Sequence, residues 1–302
     1  MPSNSGEEMI TERFQLIILT FMAVLFGIFF STAWFLAPVP LALIVARHQL
    51  RTGILTALGA GALVGLFLGP GILIQVILVL SVGIAIGEAV RDKLSFGQIL
   101  TVTTGVTYLA FVLLYVVTER LAQVDLMEEW MEALSNQLTA LFSASADSAG
   151  VAQELSLLLS QIRMMLPGWF FLLAAMISTV DYWIAGRWMK RLDMKVPWFP
   201  SFSHWRFPWY YSWGYIAGIG LPIVARLWNL HFLLPVAANL ELVFSFLYVV
   251  QGLAVIWFYM GFWHVPKVPA IIICLLISLY APLPIFIGLL DVWFNLRRLK
   301  QA

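Results

Sequence analysis

The chain has 302 residues, of which 62% are hydrophobic and 11% are charged, with a mean hydropathy of +0.92 and a formal net charge of +1. A chain of this composition has too little charge to cover the surface of a water-soluble particle. An ordinary soluble domain is therefore excluded, and the lipid bilayer is the expected solvent for most of the chain.

Apolar runs follow one another from Phe14 almost to the C-terminus, and several approach the ~20 residues that a helix needs to cross ~30 Å of hydrocarbon. The first thirteen residues lack the basic region of a secretory signal, and no cleavage pattern follows, so we expect the first run to remain as a helix. The pattern predicts an all-α integral membrane protein, a bundle of about 8–10 transmembrane helices. In chain order the runs are 14–35, 41–46, 53–68, 72–90, 98–117, 164–186, 209–227, 234–262, 268–280 and 285–296.

The distribution of lysine and arginine tests this assignment through the positive-inside rule. If the N-terminus is cytoplasmic and every run crosses, nearly every basic cluster falls on the inner side. We therefore predict a multi-pass protein of the bacterial cytoplasmic (inner) membrane, with the N- and C-termini in the cytoplasm. The alternative is that the short runs 41–46, 268–280 and 285–296 are re-entrant, although removing 41–46 alone would invert the spans that follow.

Residues 118–163 differ in character, because acidic side chains alternate there with leucine and methionine at three- and four-residue spacing. This periodicity predicts an extracytoplasmic amphipathic helical insert, with a second helix over 151–165. The chain then divides into N-terminal transmembrane helices (1–117), the insert (118–163) and C-terminal transmembrane helices (164–302). The insert is expected to cap the bundle as a helical hairpin, or to serve as a lid or a docking surface.

The last division contains a cytoplasmic loop, 187–208, in which tryptophan and phenylalanine alternate with basic residues. Such a mixture favours the headgroup layer and anionic lipid, or a cytoplasmic partner.

Small residues recur at four-residue spacing on several runs, which predicts close helix packing because lipid gives helices no hydrophobic drive to associate. The positions are 23, 27 and 31; 53, 57, 61, 65 and 69; 83 and 87; and 214 and 218.

Three segments carry a family resemblance: the proline break Ala37-Pro38-Val39-Pro40, the aromatic-proline loop 197–208 and the tail 288–298. On these the chain resembles the YybS-like family of predicted bacterial polytopic membrane proteins. That family is itself distantly similar to the substrate-binding (S) components of energy-coupling-factor transporters. The resemblance implies a membrane-embedded substrate-capture protein for uptake of a small molecule, energised by separate cytoplasmic ATPases through a membrane coupling protein. It also implies that Ala23 and Gly27 form the face that meets the coupling protein.

An ionisable side chain inside an apolar run needs a partner or a water-filled cavity. Glu241 lies about two turns inside its run, with Ser245, Tyr248 and Gln251 following along the same helix, and Arg226 ends the preceding run. These five residues are our predicted substrate-binding set, the polar wall of an outward-opening cavity. The alternative is an Arg226–Glu241 ion pair that only fixes the helix register.

Two further acids, Asp181 and Asp291, lie one to two turns before Arg187 and Arg297 and are expected to pair with those arginines or to extend toward the membrane surface.

Several kinds of site have no matching motif. The sequence holds no Walker phosphate loop, no H-E-x-x-H pair, no G-x-S-x-G elbow and a single cysteine, Cys274. We therefore expect no catalytic residues, no metal ligands, no cofactor and no nucleic-acid partner. The second candidate function is a non-transporting membrane scaffold or interaction protein of the bacterial cell envelope.

The outward location of the insert can be tested by cysteine labelling. In a Cys274→Ser background, Asp147→Cys is expected to react with an impermeant thiol reagent added outside intact cells. Labelling of this cysteine only after the cytoplasmic side is exposed would contradict the topology.

Overall fold

A computed structural model describes residues 16–18, 20, 36–123, 125–142, 148–197 and 199–299 of the chain. Over these residues the fold is helical and contains no β-strand, so the prediction of an all-α protein is confirmed. Most of the predicted first span, 14–35, lies outside the described residues. The helices are α1 (Pro38–Arg47), α2 (Leu50–Leu68), α3 (Pro70–Arg91), α4 (Phe96–Ala122), α5 (Leu126–Phe142), α6 (Ser148–Arg191), α7 (Tyr211–Leu227), α8 (Leu233–Phe262), α9 (Lys267–Ser278) and α10 (Pro282–Phe294).

Within the described part of the chain, five helices are long and apolar enough to cross a bilayer: Leu50–Leu68, Gly71–Arg91, Phe96–Leu121, Leu155–Arg191 and Leu233–Phe262. Helices α9 and α10 are joined by a sharp bend of 104°. If the two together form one broken span, they add a sixth crossing. This count leaves out the first predicted run, most of which lies outside the described residues, and α7, which has 17 residues. The predicted total of 8–10 also counted each short run as a separate crossing.

The helices form two compact units. Unit 1 comprises Met1–Asn136 and Phe170–Phe199, and unit 2 comprises Gln137–Trp169 and Pro200–Ala302. The sequence-based divisions at 117 and 163 fall inside α4 and α6, respectively.

In unit 1, α2 and α3 form an antiparallel hairpin that turns at Gly69, where a φ of 97° favours glycine. Small residues of α2 face α3: a Cβ added at Gly61 would contact Ile77, and one added at Gly65 would contact Leu73. The small-residue stripe on α2 is therefore a packing face, as predicted.

The second half of α6 packs antiparallel to α4 in the same unit. Thr107 and Ser178 share a hydrogen bond of 2.8 Å between their hydroxyl oxygens, and the rings of Phe96 and Tyr182 lie 5.8 Å apart. The C-terminal end of α6 therefore lies beside the start of α4. Since α3 leads into α4 through a short turn, basic residues at the ends of these helices gather at one end of unit 1. They are Arg91, Lys93, Arg187, Lys190 and Arg191.

Helix α1, which was predicted to cross the membrane, has only ten residues and spans about 15 Å, half the thickness of the hydrocarbon. Eight consecutive residues from Pro38 to Val45 are buried. The carbonyl group of Pro38 lies against Gly83 and that of Ala42 against Gly87, so α1 runs parallel to the last third of α3. The crossing prediction is therefore corrected: α1 begins at the depth of Gly83 and ends at the basic end of unit 1.

A buried helix start is tolerable here because of the two prolines. The first four N–H groups of a helix have no partner within the helix. Pro38 and Pro40 at the first and third positions carry no N–H, so two of those four donors are absent.

In unit 2, α7 and α8 pack antiparallel through glycines. A Cβ added at Gly214 would meet the ring of Phe244, and one at Gly218 would meet the backbone of Glu241. Helices α9 and α10 were predicted as two crossings, but their 12 and 13 residues reach only about 18–20 Å each. The sharp bend between them makes this pair a broken span or a re-entrant loop.

The predicted insert is also corrected in one respect. Helix α5 forms where the amphipathic pattern predicts it, but the predicted second helix at 151–165 does not end there. It continues through Pro167 to Arg191 as the single 44-residue helix α6.

The amide of Asn239 on α8 accommodates the proline inside α6. Its Oδ1 accepts a hydrogen bond from the backbone N–H of Gly168 at 2.5 Å, and its Nδ2 donates to the carbonyl oxygen of Met164 at 2.8 Å. The backbone groups on either side of Pro167 are therefore satisfied by a neighbouring helix, and α6 remains continuous.

The contact between α1 and α3 generates a stability prediction. Gly83→Ala places a methyl group against the Pro38 backbone, so we expect a loss of about 1–3 kcal/mol and a lower Tm of the purified protein in detergent. Gly105→Ala on α4 is the matched control, because a Cβ there meets nothing within 4 Å, and its Tm should be unchanged or raised. Equal Tm values for the two variants would contradict the close approach.

Candidate functional site

The five predicted substrate-binding residues all lie on α7 and α8 of unit 2, but they do not form one cavity wall. Arg226 and Glu241 are exposed, Ser245 is half-buried, and Tyr248 and Gln251 are fully buried.

The register of α7 and α8 keeps Arg226 and Glu241 apart. The backbone of Glu241 packs against Gly218, whereas Arg226 lies eight residues farther along α7, which is about 12 Å. Among the described residues, neither side chain joins an ion pair. The predicted Arg226–Glu241 pair therefore does not form.

Tyr248 and Gln251 already have partners within unit 2. The hydroxyl of Tyr248 donates to Ser212 Oγ at 3.1 Å. Gln251 Oε1 accepts from the backbone N–H of Phe207 at 2.8 Å, and its Nε2 donates to Asp291 Oδ2 at 2.7 Å. Both side chains are thus parts of a closed polar cluster rather than groups that face an open cavity.

At the centre of this polar cluster is a buried ion pair. Arg297 Nη2 lies 2.7 Å from Asp291 Oδ2, and both side chains are almost completely shielded from solvent. The same guanidinium donates to the carbonyl oxygens of Ser203 at 2.6 Å and Trp205 at 2.7 Å. The predicted pairing of Asp291 with Arg297 is confirmed.

The polar cluster fixes the loop 200–208 to α8 and to the end of α10. Arg297 donates hydrogen bonds to the carbonyl oxygens of Ser203 and Trp205, and the backbone N–H of Phe207 donates to Gln251 Oε1. The left-handed turn at Asn295, with a φ of 47°, returns the chain toward Asp291 and so brings Arg297 to it.

Asp181 on α6 differs from the paired Asp291 of unit 2. It is completely buried in unit 1, and among the described residues neither of its carboxylate oxygens has a hydrogen-bond partner. The expected pairing with Arg187 does not occur, because that guanidinium lies over the ring of Trp183, 3.8 Å from the ring centroid.

Two residues of structural consequence were missed by the sequence analysis. Asn239 was overlooked because its partners lie in α6, more than seventy positions earlier in the chain. Pro167 inside a predicted span was the available signal, since a neighbouring polar side chain often satisfies such a break. The importance of Ser178 beside Asp181 was also missed.

The two predicted coupling residues, Ala23 and Gly27, lie outside the described residues. In the part of the chain that the structure covers, no three side chains of the metal-binding types His, Cys, Asp and Glu come together.

The buried ion pair generates a second stability prediction. Arg297→Met leaves the Asp291 carboxylate buried without its counter-charge, so we expect a loss of about 3–5 kcal/mol and faster proteolytic cleavage within residues 200–208. Arg298→Met is the control, because Arg298 is exposed, and it should leave both readouts near wild type. Similar effects of the two substitutions would show that the pair does not hold the loop.

Comparisons with known proteins agree with this architecture. The sequence matches the family model described as "Predicted membrane protein (DUF2232)" over residues 15–292. It is 25% identical over 295 residues to "Uncharacterized protein YybS" of Bacillus subtilis (strain 168), a match that covers 93% of each chain. No solved structure matches.

These matches confirm the resemblance to the YybS-like family, whereas the likeness to transporter S components stays a prediction. Because the family model covers nearly the whole sequence, this chain belongs to the DUF2232 family of predicted membrane proteins.

Proposed function

We propose that this membrane protein captures a small molecule from the outer side of the bacterial inner membrane. In this proposal it is the substrate-binding part of an uptake system, and separate cytoplasmic ATPases act on it through a membrane coupling protein. The coupling face would be the small-residue positions Ala23 and Gly27.

The observation that carries the proposal is the position of Glu241. This carboxylate is exposed on α8 about 12 Å along the helix from Leu233, within a predominantly apolar stretch. The exposed aromatic rings of Trp228 and Phe232, just before α8, are typical of the membrane interface and support a deeper level for Glu241.

A carboxylate at this depth is unfavourable against lipid by a few kcal/mol, so it favours contact with water, a solute or another protein. Among the described residues Glu241 has no ion-pair partner, which leaves both carboxylate oxygens able to accept hydrogen bonds from a solute. Ser245 lies one turn farther along the same helix and is half-buried. We propose this pair, rather than the closed cluster around Gln251, as the solute contact.

The arrangement of basic residues supports the proposed orientation. Arg91 and Arg187 lie at the same end of unit 1. Helix α1 does not cross the membrane, but it ends at Arg47 at that same end of the unit. Basic side chains concentrate on the cytoplasmic side of membrane proteins. The proposal therefore places this end of unit 1 in the cytoplasm, and it keeps the sequence-based prediction that both termini lie there.

Ligand retention tests the proposed function. Full-length protein purified in mild detergent should release a stoichiometric small molecule in native mass spectrometry, and Glu241→Gln should reduce its occupancy by at least about tenfold, because one charge-assisted hydrogen bond is lost.

Glu128→Gln on α5 is the control, since it removes an exposed carboxylate outside the proposed contact and should retain the ligand. Equal retention by wild type and Glu241→Gln would contradict the proposal, as would the absence of any bound small molecule under conditions that keep the protein folded.

The second candidate, a membrane scaffold, is favoured by α5. Its residues Glu128, Glu129 and Glu132 are exposed together with Trp130. A partner protein that co-purifies with wild type and Glu241→Gln, but is lost on Glu128→Lys with Glu129→Lys, would support the scaffold.

A further inference from the structure

The buried carboxylate of Asp181 lies beside hydroxyl groups that belong to two helices of unit 1. Ser178, three residues earlier on α6, is fully buried and shares its 2.8 Å hydrogen bond with Thr107 on α4. Because α4 and α6 are antiparallel, Thr103 and Thr104, one turn before Thr107, lie at about the level of Asp181. Both threonines are buried.

The protons of the Ser178 and Thr107 hydroxyl groups are both used in hydrogen bonds, so these two groups offer only oxygen lone pairs. The hydroxyl of Thr107 donates to the carbonyl oxygen of Thr103 at 2.8 Å. Since that proton is used, Ser178 must be the donor in its bond with Thr107. The Ser178 oxygen then has only lone pairs to offer, and it cannot neutralise Asp181.

Among the described residues, Asp181 has no ion-pair partner. Between their basic ends, the described helices of unit 1 carry no lysine, arginine or histidine: this holds for residues 38–46, 52–68, 70–90, 97–118 and 170–186. The nearest arginine along α6, Arg187, is held over Trp183. A buried carboxylate without a counter-charge is strongly unfavourable when it is ionised, so Asp181 is either protonated or paired with a mobile cation.

We propose that Asp181, together with the hydroxyl oxygens of Ser178 and Thr107, forms a binding site for a sodium ion inside unit 1. The proposed donors are all oxygens, which hard cations prefer, and residues 38–46, 52–68, 70–90, 97–118 and 170–186 contain no histidine or cysteine to favour a transition metal. A single carboxylate matches a single positive charge. A site for Ca²⁺ or Mg²⁺ would be expected to contain further acids, and the described residues contain no group of three metal-binding side chains.

The sodium site goes beyond the proposed capture function and does not depend on it. It lies in unit 1 and rests on Asp181, whereas the proposed solute contact lies in unit 2 and rests on Glu241. Loss of ligand retention with intact sodium binding would remove the capture proposal alone, and the reverse result would remove the sodium site alone.

Sodium-dependent stabilisation of the full-length protein tests the inference. A ligand that binds only the folded state raises its stability as its concentration increases. We expect the Tm in detergent to rise with NaCl and to saturate, while choline chloride at the same ionic strength has no such effect. Asp181→Asn should abolish the sodium response, and Glu128→Gln, which removes an exposed carboxylate on α5, should preserve it.

Two further variants keep the test decisive if Asp181→Asn does not fold. Ser178→Ala and Thr107→Val leave the charge in place but each removes one oxygen, so the sodium concentration at half-maximal stabilisation should increase by about tenfold. The inference is overturned if the Tm of the wild type does not respond to sodium, which is the result expected of a protonated Asp181. It is equally overturned if Asp181→Asn, or both hydroxyl variants, respond to sodium as wild type does.

Discussion

Close approach of one helix backbone to another at glycine is the constraint on which both units depend. The start of α1 packs its Pro38 carbonyl against Gly83, and the start of α10 packs its Pro284 carbonyl against Gly252. In lipid the helices gain little from burying apolar side chains, so the density of such contacts must hold them together. Each contact joins a short helix that begins with Pro-x-Pro to a longer helix of its unit. The short elements, which cannot cross lipid themselves, are thereby kept in place by backbone contacts rather than by their length.

The two buried aspartates show how differently one protein treats the same chemical group. Asp291 is surrounded by donors from Arg297 and Gln251, and its charge is used to hold a loop. In such a network the hydrogen-bonding groups already have partners and are not available to a ligand, so the network is a structural feature. Asp181 is equally buried but has neither a donor nor a counter-charge among the described residues. Polar groups of this second kind, inside spanning helices, are the ones that mark ion and solute sites in membrane proteins.

Much of the architecture follows from the sequence, because helical spans and small-residue faces depend on local periodicity. The packing roles of Gly61, Gly65 and Gly218 could be predicted in this way. The role of α1 could not, since hydropathy reports how apolar a segment is but not how deep in the bundle it begins. The Arg226–Glu241 pair failed because adjacency in the chain was taken as adjacency in space, and the register of α7 on α8 decides otherwise. Asn239 and Ser178 act on other helices, so no local pattern reveals them.

The proline-rich start of α1 has a consequence for hydration. A helix terminus inside a membrane protein usually attracts water, because its free amides need acceptors. At α1 only the amides of Ala37 and Val39 remain, and the residues around them are fully packed. Because two of the usual four donors are absent, the start of α1 presents fewer amides that would need water as a partner.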